Sequence, residues 1–356
     1  MSLHFHSLAV KEVRKESPDC VSILLAVPNE LKTAFQFTQG QYLTVRTSIN
    51  QEDIRRSYSI CSSPLDDELR IAVKKAANGV FSTYANTVLQ KGDWLDVMPP
   101  IGKFFTSLDS AQKKNYVGFA SGSGITPLLS IIKTTLATEL QSSFTLVYGN
   151  RNRHSIIFKE ALEALKNVFT SRFRIIYILS REKTDAAIHF GRIDGEKCGM
   201  LCDKLIDAKK TDEFFLCGPE EMIFAVKEKL QSLGVAEKKI HYELFATGNR
   251  KAAANKPVPH DNSNKSNITV KLDGITFDFD LAFEGDAILD AALKKGADLP
   301  YACKGGVCCT CKAKLIEGEV DMDVNYGLEQ EEIEQGFILT CQSHPRTEKV
   351  VVDFDA

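Results

Sequence analysis

The 356-residue chain lacks several things. In its N-terminal part the longest apolar stretch, Val21 to Val27, is broken at Ser22. That is far short of the roughly 20 apolar residues a spanning helix needs. The opening residues Met1-Ser2-Leu3-His4-Phe5-His6 lack the basic-then-apolar order of a secretion signal. No segment repeats, which excludes a solenoid or propeller. The net charge is only −3, so there is no overall basic excess to hold nucleic acid. These absences predict a cytoplasmic protein without a membrane span, in which Cys20, Cys61, Cys198, Cys202 and Cys217 stay reduced. At this length two or three domains are expected.

What the chain does have is cysteine in one place. Five of its ten cysteines lie within the 39 residues from Cys303 to Cys341. Cys303, Cys308 and Cys311 follow C-x4-C-x2-C, and Cys341 comes after a further 29 residues. A short loop plus one distant anchor can bring four thiolates onto two bridged irons, the pattern of a plant-type 2Fe-2S centre. Gly305 and Gly306 in that loop let the backbone turn tightly and aim N–H groups at the sulfurs. Buried free thiols would use the same residues. So would zinc, although zinc sites usually show paired C-x2-4-C hooks and here only Cys308 and Cys311 form one. Cys309 is surplus in every scheme.

Charge divides the chain as well. Residues 267–356 carry 18 Asp and Glu against 8 Lys and Arg, whereas residues 1–266 carry 29 against 36. Opposed halves predict docking between domains, or of the acidic part on a basic partner, with a solvated acidic face as the plain alternative.

Periodicity gives the rest of the organisation. Short β-rich runs at Ser7–Arg14, Ser22–Val27, Tyr42–Thr47, Leu69–Lys74 and Trp94–Val97 predict an antiparallel β-barrel over residues 1–108. Over 109–245, strands at Tyr116–Ala120, Phe144–Tyr148, Phe173–Leu179, Glu213–Cys217 and His241–Phe245 alternate with helical stretches near Pro127, Phe158–Asn167 and Glu220. That alternation predicts an α/β doubly wound parallel sheet. Residues 246–266 are polar and read as a flexible linker. A third domain is expected over 267–356, with a strand at Ile268–Leu272 and a helix at Ala287–Lys295.

Several short motifs carry chemistry. Arg56-Ser57-Tyr58-Ser59, at the end of a polar turn, offers a guanidinium for phosphate, a ring for stacking and a hydroxyl. Gly79-Val80-Phe81-Ser82-Thr83 is a glycine-led turn running into a helix, whose free N–H groups suit a pyrophosphate. Ser121-Gly122-Ser123-Gly124-Ile125-Thr126-Pro127 is a second such cradle after a strand, without the third glycine of G-x-G-x-x-G. Ser180-Arg181 ends one strand of the sheet at its carboxyl edge, where an Arg can meet the 2′-phosphate of NADPH. Cys217-Gly218-Pro219 ends the next strand at the same edge and puts a small polarizable side chain near a nicotinamide.

In this order the motifs, with Tyr148-Gly149-Asn150-Arg151, Ser180-Arg181-Glu182 and the cysteine loop, resemble the ferredoxin-NADP reductase superfamily joined to a plant-type ferredoxin domain. The resemblance implies a β-grasp-like third domain. It also implies that Arg56, Tyr58, Ser59 and Val73 contact FAD and that Gly79, Val80, Phe81 and Ser82 hold its pyrophosphate. Gly122, Gly124 and Thr126 would hold the nicotinamide nucleotide, Ser180 and Arg181 the 2′-phosphate, and Cys217, Gly218 and Pro219 the nicotinamide. Cys303, Cys308, Cys311 and Cys341 would hold the cluster. Ser59, Cys217, Glu243 and Phe245 would form the catalytic group, with Ser59 near the flavin N5, Phe245 shielding the ring and Glu243 as a proton or positioning group.

Within the superfamily the domain order and Glu243-Leu244-Phe245 are similar to the reductases of phenylacetyl-CoA epoxidases in phenylacetate catabolism. Reductases of steroid or ring hydroxylases and of acyl-CoA desaturases share the order. Phthalate dioxygenase reductases do too, but use FMN, and the intact Gly79–Thr83 turn favours FAD. The expected function is therefore NADPH-dependent electron transfer through FAD and a 2Fe-2S cluster to the oxygenase component of a multicomponent monooxygenase. A non-catalytic iron-sulfur redox sensor is the competing reading.

Overall fold

The computed structural model describes residues 4–245 and 264–356, and the expected linker falls outside the described residues except for its last three positions. Three sheets organise the chain in sequence order.

The first contains β1 (His6–Ser17), β2 (Cys20–Ala26), β3 (Tyr42–Ile49), β4 (Glu52–Ser59), β5 (Leu69–Lys74) and β6 (Trp94–Val97), with α1 (Val80–Thr87) between the last two. Its order is β4-β3-β6-β1-β2-β5, and all its pairings are antiparallel. A bridge between Ile60 and Ile71, with Cys61 N–H donating to Arg70 O at 2.8 Å, joins the two edges. Closure makes this the expected barrel, filled by Leu8, Val10, Ile23, Leu43, Val45, Ile71, Phe81 and Leu95. Strand β4 corrects the placing of Arg56-Ser57-Tyr58-Ser59 at the end of a turn: they form the second half of a strand paired along its length with β3.

The second sheet is parallel, with β7 (Asn115–Ser121), β8 (Ser143–Asn150), β9 (Phe173–Leu179), β10 (Glu213–Gly218) and β11 (Ile240–Leu244) in the order β11-β10-β7-β8-β9. Its crossovers carry α2 (Ile125–Thr138), α3 (Lys159–Val168), α4 (Gly195–Lys204) and α5 (Glu220–Ser232). Central strands such as Phe214–Cys217 are buried throughout because helices cover both faces. Helix α2 starts two residues before the expected Pro127, which lies within the first turn where a missing N–H costs nothing. Helix α4 was not foreseen. Its start is marked by Asp194, whose carboxylate accepts the Lys197 N–H at 2.8 Å.

The third sheet combines β12 (Lys265–Leu272), β13 (Ile275–Ala282), β14 (Lys312–Glu317), β16 (Phe337–Leu339) and β18 (Lys349–Asp353). A small ribbon of β15 (Val320–Met322) and β17 (Ser343–Pro345) and the helices α6 (Ile288–Lys294) and α7 (Gln330–Glu334) complete it. Strand β12 pairs antiparallel with β13 and parallel with β18, the mixed sheet of a β-grasp-like ferredoxin fold. It begins two residues before the expected Asn267. Among the described residues no helix is long and apolar enough to cross a membrane.

Candidate functional site

The barrel and the α/β part meet through several contacts, among them Ser130 Oγ donating to Ser62 O at 2.6 Å and a hydrogen bond between Ser59 and Glu243. Ser59, the last residue of β4, is buried, and its Oγ donates to Glu243 Oε2 at 2.7 Å. Glu243 lies on β11 directly opposite Cys217 on β10, so register alone brings those two together. Desolvation pushes the Glu243 carboxyl up to about 7, while the Ser59 hydrogen bond pulls it the other way. Burial, and then the charge of Glu243, holds the Cys217 thiol well above its usual range, so it is a neutral packing group and not a nucleophile. Phe245, just past β11, packs partly buried against the core that includes Cys217, Cys61 and Phe104.

Glycine fixes how closely this corner packs. A Cβ on Gly124 would fall 1.9 Å from Cys217 O, so only glycine lets the turn after β7 lie against the end of β10. That junction is the switch point of the sheet, where crossovers run to opposite sides and nucleotides bind in such folds. Pro219 is the N-cap of α5, and Gly218 faces Met222 and Ser121.

The two glycine-led turns expected to cradle phosphate run into α1 and α2. Neither the α1 nor the α2 N-terminus is capped by a side chain, and neither first turn contains an acidic residue. Both therefore present backbone N–H groups and a positive dipole end to an anion. The side chains expected to help are occupied instead in shaping the turns. The Ser82 hydroxyl donates to Gly79 O and accepts the Ala76 N–H, and a Cβ on Gly79 would meet it at 2.3 Å. The Thr126 hydroxyl donates to Ser123 O at 2.9 Å. What these turns offer is backbone, as pyrophosphate binding requires. Val80 is exposed, and Phe81 is buried with its ring 5.4 Å from that of Tyr58. Arg56 is exposed on the same strand, and its Nη1 donates to Arg55 O at 2.7 Å. Val73 stands apart: its side chain is in the barrel core and its carbonyl accepts from Asn86.

Lys74, at the end of β5, joins this corner. Its Nζ lies 3.4 Å from where a Cβ on Gly122 would sit, which places a cation beside the second cradle from the barrel side. A lysine ending a strand five residues before a glycine-led helix was the available signal. Ser180 and Arg181 follow β9 at the same carboxyl edge. The Ser180 hydroxyl donates to Asn150 O at 3.3 Å, and the Arg181 N–H to Arg151 O at 2.8 Å, leaving an exposed guanidinium.

Four of the third domain's five cysteines lie two and two, Cys303 beside Cys308 and Cys311 beside Cys341. Cys308 beside Cys303 draws the Cys303 thiol down against the effect of burial, helped by the Gly305 and Cys308 N–H groups, which donate to its sulfur at 3.3 and 3.4 Å. Cys341, beside Cys311, is also lowered, and its sulfur accepts from Gln342 Nε2 at 3.5 Å. Among the described residues no three His, Cys, Asp or Glu side chains converge on a single ion. Two thiol pairs with backbone N–H donors fit a binuclear 2Fe-2S cluster better than a four-coordinate zinc. Cys309 turns away, its Sγ donating to Gly327 O at 2.9 Å.

This loop faces the barrel. The Cys309 N–H donates to Tyr42 Oη at 3.0 Å, the Thr44 and Thr310 hydroxyls share a hydrogen bond of 3.2 Å, and Tyr42 packs with Ala302 and Cys308. Contacts spanning more than 240 residues, those of Arg55 with Leu299 O and Asp298 included, leave no local signal, so Tyr42, Thr44 and Arg55 of this interface were not foreseen.

Known proteins show the same arrangement. Residues 7–106 match the oxidoreductase FAD-binding domain family, 119–228 the oxidoreductase NAD-binding domain family and 270–346 the 2Fe-2S iron-sulfur cluster binding domain family. The chain is 45% identical over 352 residues to one of the subunits of 1,2-phenylacetyl-CoA epoxidase from Escherichia coli (strain K12), covering 99% of this chain and 98% of that one. It is 32% identical to the ferredoxin reductase component of 3-ketosteroid-9-alpha-monooxygenase from Rhodococcus rhodochrous, covering 98% and 96%. Phthalate dioxygenase reductase shares the fold with a TM-score of 0.60 at 23% identity, covering 98% of both chains. Three domain families in this order, and whole-length relatives above 30% identity, show that the chain is an oxidoreductase of the ferredoxin-NADP reductase superfamily, in the branch that carries a C-terminal 2Fe-2S domain.

Proposed function

We propose that this protein takes electrons from NADPH and delivers them one at a time to the oxygenase component of a multicomponent monooxygenase, with 1,2-phenylacetyl-CoA epoxidase as the acceptor its 45% identical relative suggests. The observation that carries the reading is the placing of the Ser59–Glu243 hydrogen bond and the cluster loop on one barrel. Ser59 ends β4, and β4 pairs with β3, whose Tyr42 and Thr44 hold Cys309 and Thr310.

FAD, when bound, supplies the exchange between paired and single electrons. The residues of the chain do the positioning. Arg56 and the Gly79–Ser82 turn would hold the flavin phosphates, and the Tyr58 ring would stack on the flavin. Gly122, Gly124 and the start of α2 hold the nicotinamide nucleotide, and Arg181 binds its 2′-phosphate. Ser59, its one proton donated to Glu243, would present its hydroxyl oxygen at the flavin edge, and Glu243, with a pKa of about 7, fixes that hydroxyl and can hold a proton. Cys217 supplies a neutral wall, and Phe245 shields the site. Cys303, Cys308, Cys311 and Cys341 hold the cluster. The domain division at 108, 245 and 266 belongs to the same proposal.

Reconstituted protein should show flavin and 2Fe-2S absorbance and reduce ferricyanide with NADPH. Supplied with the epoxidase oxygenase component, it should support NADPH-dependent oxygen consumption on phenylacetyl-CoA. No consumption with that component, but turnover with a steroid hydroxylase oxygenase, would move the assignment to the other relatives.

A further inference from the structure

Two cysteines stand apart from both the cluster loop and the nucleotide site. Cys198 and Cys202 lie four residues apart on α4, on one face of the helix. Cys198 is fully buried, in the core it shares with Val226 and Leu230 of α5. Cys202, in the last turn, is half-buried and lines a surface cavity of about 500 Å³ with Lys204, Leu205, Ile206, Lys209 and Leu233. Lys229 crosses from α5, its Cε 2.8 Å and its Nζ 3.5 Å from where a Cβ on Gly199 would sit, so a cation lies on the turn that joins the two thiols. Cys198 beside it draws the Cys202 thiol below its usual range, against burial and the charge of Asp203, and Lys229 adds to the effect. The other buried thiols outside the cluster loop, Cys20, Cys61 and Cys217, are pushed up by burial and are inert.

We propose that Cys202 is a site of reversible oxidation by hydrogen peroxide, with Cys198 as the resolving thiol. An accessible thiolate backed by a second thiol is the arrangement that redox-sensing cysteines share. In the first step the Cys202 sulfur attacks one peroxide oxygen, an S–O bond forms as the O–O bond breaks, and hydroxide leaves with the thiol proton as water. In the second the Cys198 sulfur displaces the hydroxyl from Cys202, an S–S bond forms, and the Cys198 proton leaves with that hydroxyl as water. Two thiols and one peroxide become one disulfide and two waters. The sulfurs lose the two electrons that the peroxide gains.

Helix geometry sets the consequence. Residues four apart have Cα atoms about 6 Å apart, within the span of a disulfide, but Cβ atoms about 5–6 Å apart where a disulfide needs about 4 Å. Helix α4 must therefore distort as the bond closes. Next to Cys198, Lys197 is buried, and its Nζ donates to Ala187 O at 2.9 Å. That bond braces the segment whose Phe190 bridges to Leu179 and whose Gly191 N–H donates to Leu179 O at 3.0 Å, two residues before Arg181. Oxidation loosens the brace, and with it the edge that carries Ser180 and Arg181. The effect on the nucleotide rests on the function proposed above, whereas the thiol chemistry does not.

The cofactor-loaded full chain is treated with hydrogen peroxide, alkylated under denaturing conditions and digested with trypsin, which releases Cys198 to Lys204 as one peptide. Mass spectrometry should find that peptide lacking two hydrogens and taking no alkyl group, formed about tenfold or more faster than any oxidation of Cys20 or Cys61. Dithiothreitol should reverse it. In Cys198→Ser the sulfenic acid should persist at Cys202 and be captured by dimedone. Oxidation of Cys202 no faster than that of Cys20 and Cys61, or a Cys198 that still takes the alkyl group when Cys202 is oxidised, overturns the inference. Peroxide should also raise KM for NADPH in ferricyanide reduction by roughly three- to tenfold, the worth of one hydrogen bond, and leave it unchanged in Cys202→Ser. A disulfide that forms without that rise overturns the link to the nucleotide edge. Absence of NADPH-driven turnover before any treatment defeats the proposed function alone, and the peptide still decides the thiol pair.

Discussion

The Ser59 hydroxyl reaches 184 residues along the chain to donate to the Glu243 carboxylate at 2.7 Å, and this bond ties the barrel to the parallel sheet. Because it favours the ionised carboxylate, it offsets part of the desolvation that raises Glu243. In Ser59→Ala that help is gone. The inflection in the pH profile of NADPH-ferricyanide turnover should move upward from about 7, and kcat should fall roughly ten- to a hundredfold, the worth of one hydrogen bond to a charged group. A profile superimposable on the parent's would remove Ser59 from the site.

Glu243 should also mark the stability curve. Its carboxyl is raised from an ordinary 4.5 to about 7, so the folded protein binds more protons than the unfolded chain between those values. Stability contributed by this group is present below about 4.5, declines as pH rises toward 7, and is lost above it. The loss amounts to about 3 kcal/mol. Urea unfolding of Glu243→Gln across this range should lack that decline and gain relative to the parent at pH 8.

Gly124 has no room for a methyl group, since a Cβ would lie 1.9 Å from Cys217 O. Gly124→Ala should therefore push the α2 turn off β10, costing about 1–3 kcal/mol in thermal or denaturant unfolding and raising KM for NADPH. Arg181→Ala should act only on the nucleotide. It should raise KM for NADPH by roughly tenfold or more, through loss of a charge-assisted contact, with little change for NADH. Equal changes for both nucleotides would contradict the 2′-phosphate assignment.

Cys309 and Cys311 are two residues apart and should behave oppositely. Cys309 donates to Gly327 O, whereas Cys311 lies beside Cys341 in the core of the third domain. Cys311→Ser should lose the 2Fe-2S absorbance and keep the flavin spectrum, and Cys309→Ala should keep both. Iron content and visible circular dichroism of the two variants settle the ligand set.

Legibility in the sequence followed the range of the interactions. The cysteine loop, the glycine-led turns and the buried runs of β7 to β10 are local patterns, and the structure places them as read. Strand β4 was missed because Glu52-Asp53-Ile54-Arg55-Arg56-Ser57 shows no apolar alternation, its Arg55 being buried through Asp53, Asp298 and Tyr301. Helix α4 was missed because Gly195, Gly199 and two cysteines weaken its pattern. Register brought Cys217 and Glu243 together without any nearby signal in the chain. Thr44 and Thr310, 266 residues apart, show the limit most plainly, since neither is unusual until both are seen buried face to face.

The central claim is that one chain carries electrons from NADPH to a cluster held by Cys303, Cys308, Cys311 and Cys341. Anaerobic titration of the reconstituted protein with NADPH, followed by flavin absorbance and by the electron paramagnetic resonance of the cluster, tests it most directly. Bleaching of the flavin band together with a rhombic signal from the reduced cluster, the latter absent in Cys311→Ser, is the predicted result. A protein that holds both groups but shows no cluster signal after flavin bleaching would contradict the account.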